Sequence, residues 1–92
     1  MAGNQEPSRN VIREVQFEEV LHALIEDAEA ADNFTAGAEW ALACDAELGL
    51  RLAPDSSVWF LPMAPIGGRQ ISLYYAFDAA TVYLLFIRPF GD

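Results

Sequence analysis

The chain has no lysine, one cysteine and one histidine, and each shortage closes off a class of function. Cys44 alone cannot form an intramolecular disulfide, and one cysteine with His22 cannot build a zinc site, so no metal or other cofactor is expected. A chain without disulfides suits a reducing compartment, here the cytoplasm. Without lysine, positive charge comes from five arginines against fourteen acidic residues, a net charge of −9. Such a surface repels nucleic acid and anionic lipid over a Debye length of about 8 Å, which argues against direct nucleic-acid binding and favours a basic partner. A long uninterrupted apolar run is missing as well. The closing segment "ISLYYAFDAATVYLLFIRPF" is broken at Asp78, and an ionised carboxylate at the centre of a bilayer costs at least roughly 2.5 to 3.5 kcal/mol. No membrane span is expected. The opening "MAGNQEPSRN" lacks the apolar stretch of a signal peptide.

What the chain does have is material for a core: 53% hydrophobic and 12% aromatic residues in 92 positions. That length makes one domain, burying roughly 60 to 65% of its unfolded surface. Residues 1–9 are expected to be a disordered lead-in, and 10–92 a single domain. "VIREVQF" alternates well enough for a strand over 10–17. From Phe17 the apolar residues Val20, Leu21, Leu24, Ile25 and Ala28 follow helical spacing, with acidic residues on the other side. "AADNF" predicts a break, with Asp32 and Asn33 capping a second helix over 34–48. Trp40 is its expected anchor and Gly49 its left-handed cap. Strands are predicted over 57–63, in "RQISLYYAF" and in "TVYLLFI", with turns at Gly67 and Gly68 and at Asp78. The fold class is α+β: a strand, a helical hairpin, then a three-stranded antiparallel meander that the first strand joins in one sheet.

The isolated chemical groups have ordinary explanations. His22 falls on a polar helix face, and Cys44 in an alanine-rich helix is a small core residue. Glu18 and Glu19, or Glu26 and Asp27, are adjacent and diverge on a helix, so neither pair is an acid and base set. Gly67 and Gly68 have no helix start behind them and are a turn rather than a phosphate loop. The aromatic residues lack interleaved basic ones, which favours a core or partner interface over base stacking. Arg69 and Arg88, at the ends of apolar strands, suit anion contact or a salt bridge equally.

Gly67 and Gly68, then Tyr74 or Tyr75, then Asp78, then the run from Thr81 to Ile87 ending on Arg88, follow a strand and two helices. In this order they resemble the RelE/ParE family of toxins from bacterial type II toxin–antitoxin modules. The likeness spans about residues 11–89 and takes in "FEEVLHALIED" and "AEWALACDAELG", with Ala46 where a proline is common. It rests on element order and length more than on any single motif.

The resemblance implies a toxin neutralised by a small antitoxin and directed at gyrase or at the ribosome. For the endonuclease members it implies cleavage through the RNA 2′-hydroxyl with cationic stabilisation, work that would fall here to Arg69 and Arg88. Arg69 lies earlier than the family's arginine, at whose place stand Ile71 or Ser72, and "RPFGD" offers no Tyr or His. A toxin that binds its target, rather than a ribonuclease, is therefore expected. The alternative is a non-catalytic interaction domain keeping the toxin fold, with Tyr74, Leu84 and Phe86 carrying the partner contact. A homodimer through an exposed strand is a third expectation.

Overall fold

Residues 8–90 are described by the computed structural model, and their order of elements follows from where acidic caps and apolar spacing change. Strand β1 covers Asn10–Arg13, helix α1 Val15–Leu24 and helix α2 Ala28–Cys44. A 3-10 turn at Ala46–Leu48 leads to β2 (Leu50–Arg51), β3 (Trp59–Ile66), β4 (Arg69–Phe77) and β5 (Thr81–Phe90). The sheet has five strands in the order β1-β5-β4-β3-β2, antiparallel except for β1 beside β5. The class is α+β, with the expected meander joined by the first strand; the two-residue β2 at the far edge was not foreseen.

Several boundaries differ from expectation. The first strand stops at Arg13 rather than residue 17, because Glu14, whose N–H donates to the Leu84 carbonyl, already precedes α1. The break between the helices falls at residues 25–27, not at Asp32 and Asn33, which lie inside α2. Asp27 is the cap, its Oδ2 accepting from the Ala30 N–H at 2.8 Å. This start puts Ala31, Thr35, Ala38 and Leu42 on one stripe at helical spacing, and the first, second and fourth are fully buried. Trp40 falls off that stripe and is 56% exposed, so it does not anchor the helix. Gly49 has φ −79° and is not a left-handed cap. Gly67 and Gly68 do take positive φ, 60° and 81°, in the two-residue turn between β3 and β4.

Both helices lie on one side of the sheet. Phe17 and Leu21 of α1 and Leu42 of α2 meet Ile71, Leu73 and Tyr75 of β4 and Val82, Leu84 and Ile87 of β5 in a single core. None of the helices among the described residues is long and apolar enough to cross a membrane. Of the expected lead-in, residues 1–7 lie outside the described part, whereas the N–H groups of Ser8 and Arg9 donate to the Ala43 carbonyl.

Candidate functional site

Strand alternation sends every second side chain away from the helices, and here that outer face is largely apolar and aromatic. In β4 the core takes Ile71, Leu73 and Tyr75, leaving Gln70, Ser72, Tyr74 and Ala76 outward. In β5 simple alternation from Val82 and Leu84 would bury Phe86. A β-bulge prevents this: Tyr74 pairs with Phe86 but Tyr75 pairs with Leu84, so Leu85 is an extra residue. After it Ile87 turns inward and Phe86 turns out.

The result is a ladder of rings across three strands. Phe60, opposite Tyr74, has its centroid 6.0 Å from it, and Phe86 stacks on Tyr74 at 4.6 Å with an 18° angle between planes. The guanidinium of Arg88 lies 5.9 Å from the Phe86 centroid. Leu50, paired with Phe60, and Ile12, paired with Tyr83, extend the apolar surface from β2 to β1. Beside the rings, Leu52, Phe60, Pro62, Gln70, Ser72 and Tyr74 line a groove of about 400 Å³. A second groove, about 350 Å³, lies where β5 runs past the end of β1, between Gln16 and Val20 of α1 and Phe86, Ile87 and Arg88.

The residues singled out in the sequence separate into two groups. Tyr74 and Phe86 come together at the centre of the outer face. Leu84 does not join them: it is fully buried against the helices and cannot meet a partner, because the bulge follows it. Arg88 pairs with Ser72 and shares the outer face, whereas Arg69 has the parity of Ile71 and Leu73 and belongs to the opposite side. Strand parity thus sets the two arginines on opposite faces of the sheet. His22 is exposed, its Nε2 3.2 Å from Glu18 Oε1, and Cys44 is half-buried at the end of α2. No group of three His, Cys, Asp or Glu side chains among the described residues could hold a metal.

Two polar sites went unforeseen. Arg13, with a side chain only 19% exposed, donates to Glu39 at 2.7 Å, Thr35 at 2.9 Å and Asp32 at 3.1 Å, with Glu18 at 3.5 Å. Burial alone would lower its pKa, but the hydrogen bonds to Glu39 and Asp32 and the charges of Glu39 and Glu18 together outweigh it and the pKa rises. The cation ties β1 to both helices. Tyr75 donates from its hydroxyl to the Ala46 carbonyl at 2.7 Å and accepts from the Gly49 N–H at 3.1 Å. Burial raises its pKa. At the β4–β5 turn, the amides of Ala80 and Thr81 hold the Asp78 carboxyl below its usual range.

No protein-family model matches this chain, and no curated protein matches it either.

Proposed function

We propose that the chain works by binding a protein partner across the outer face of its sheet, as a toxin-like component of a type II toxin–antitoxin module. In this reading it arrests growth by occupying gyrase or the translation machinery and is neutralised by its antitoxin. The observation that carries it is the Phe60, Tyr74 and Phe86 ladder, a contiguous aromatic surface beside a groove and outside the core. Central aromatic contacts of this kind carry most of the energy in interfaces, about 2 kcal/mol or more each. The order of strand, two helices and meander supports the toxin-like setting. The opposed positions of Arg69 and Arg88 favour occupation of a target over cleavage of RNA.

Inducible expression in bacteria tests this. The wild-type chain should stop growth, the Tyr74→Ala/Phe86→Ala pair should relieve the arrest, and Arg69→Ala should leave it intact. Arrest that survives the aromatic pair but disappears with either arginine would overturn the binding mechanism. Normal growth with abundant folded protein would remove the toxin and leave the second reading, a non-catalytic interaction domain of the same fold. That reading is favoured by the same face, which needs no catalytic group to bind.

A further inference from the structure

We infer that, when no other partner is bound, a second copy of this chain covers the outer face in a symmetric, sheet-to-sheet dimer. The inference uses the face assigned above to partner binding but does not depend on which partner that is.

The net charge conceals a division of the molecule. Ten of the fourteen acidic residues fall between Glu14 and Glu47, a stretch with no arginine, whereas the strands contain four arginines and no Asp or Glu. The helix layer is therefore the acidic side, while the outer sheet face carries one strand arginine, Arg88, and meets a carboxylate only at its rim, where Tyr83 donates to Asp78 at 3.3 Å. Two copies that met through their helices would set carboxylates against each other. Meeting through the outer sheet face, they keep the two acidic layers on the far sides of the assembly and oppose chiefly apolar and aromatic groups, with Gln70, Ser72 and Arg88 the polar ones among them.

The sheet edges are poor alternatives. β1 has four residues and β2 two, and short edge strands offer few groups for pairing. Beyond them β3 and β5 are unpaired on their outer sides, but Pro62 and Pro65 interrupt one and Pro89 the other. A proline has no N–H to give an added strand. The expected homodimer through an exposed strand is thus replaced by one through the face.

The face is large enough. β4 and β5, with 9 and 10 residues, run roughly 30 Å at about 3.3 Å per residue, and five strands about 4.8 Å apart span roughly 20 Å. Because β1 and β2 fill only part of that rectangle, covering it removes on the order of 500 Å² per copy, about 1,000 Å² in all, the least that a specific interface buries. β4 is the middle strand, so Tyr74 lies near the two-fold axis and meets its own counterpart, with the sheets about 10 Å apart.

Sedimentation equilibrium of the full chain, from micromolar to millimolar concentration, tests the dimer. The expected mass is twice 10.1 kDa, and association should tighten as sodium chloride is added, because salt screens the acidic layers and leaves apolar contact in place. Tyr74→Glu should raise the dissociation constant at least about tenfold. Leu50→Glu, at a position 59% exposed and so harmless to the fold, should weaken the dimer too. Trp40→Glu, on the acidic layer, should not. A wild-type chain that stays monomeric throughout, a dimer that loosens with salt, or one lost with Trp40→Glu but kept with Leu50→Glu would overturn the inference. A monomer whose growth arrest is still relieved by the Tyr74→Ala/Phe86→Ala pair would lose the dimer and keep the proposed function.

Discussion

At the scale of single residues, the joint between the 3-10 turn and the sheet depends on clearance. Gly49 has a backbone conformation open to any residue, so conformational freedom does not explain it. A Cβ there would run into the Phe60 carbonyl oxygen and lie 2.7 Å from the Tyr75 hydroxyl. Gly49→Ala should therefore destabilise by about 1 to 3 kcal/mol, the usual cost of overpacking, read as a lower denaturant midpoint with unchanged slope. Tyr75→Phe should cost about 1 to 3 kcal/mol by leaving the Gly49 N–H and Ala46 carbonyl unpaired. It should also change the alkaline limb of stability. The folded pKa of Tyr75 is raised above 10.0, so the folded state holds the proton longer than the unfolded one. Its contribution is full below pH 10 and declines as pH rises through the folded pKa. Wild type should lose stability there faster than Tyr75→Phe, and equal slopes in urea melts above pH 10 would contradict this. The sequence marks Gly49 as special but suggests the wrong reason, since the atoms it must clear belong to residues 11 and 26 positions away. Arg13 is illegible for the same reason: its hydrogen-bond partners are 19 to 26 residues distant.

At the scale of elements, two aspartates compete to begin the second helix. Asp27 and Asp32 both suit a cap, and local preference cannot choose between them. Tertiary packing does, because a start after Asp27 completes the buried stripe that includes Ala31 and Thr35. Asp27→Ala should then cost about 1 kcal/mol. Asp32→Ala, which removes one partly exposed ion pair to Arg13, should cost less than about 1 kcal/mol. Thermal melts of the two variants decide it; the reverse order would restore the helix break at "AADNF". The closing hairpin, by contrast, was legible almost to the residue. Asp78 as turn, the extent of β4 and the glycine turn follow from local chemistry. The bulge at Leu85 was not, although "YLLF" carries its trace: four apolar residues in a row cannot all alternate, and one of them has to be extra. That single residue decides which of Leu84 and Phe86 reaches the surface, and with it the composition of the candidate site.

For the molecule as a whole, separation of charge sets a cost inside each chain as well as between chains. Ten carboxylates on one layer repel one another, and Arg13 is the one arginine among the described residues that forms ion pairs with them. Salt shortens the reach of this repulsion from about 30 Å at 0.01 M to about 3 Å at 1 M, while partly buried pairs such as Arg13 with Glu39 are screened much less. The melting temperature should consequently rise with sodium chloride. A relief of about 1 kcal/mol corresponds to about 4 to 8 °C for a domain of this size. Melts at a protein concentration where the chain is monomeric separate this from dimerisation, which also tightens with salt but depends on concentration. Glu19→Gln and Glu26→Gln, both exposed, should raise the melting temperature at low salt and flatten its dependence on salt. A melting temperature that falls with salt would mean that the Arg13 pairs outweigh the repulsion. The acidic layer would then be a net source of stability, and the sheet face would lose its electrostatic advantage as the meeting side for two copies.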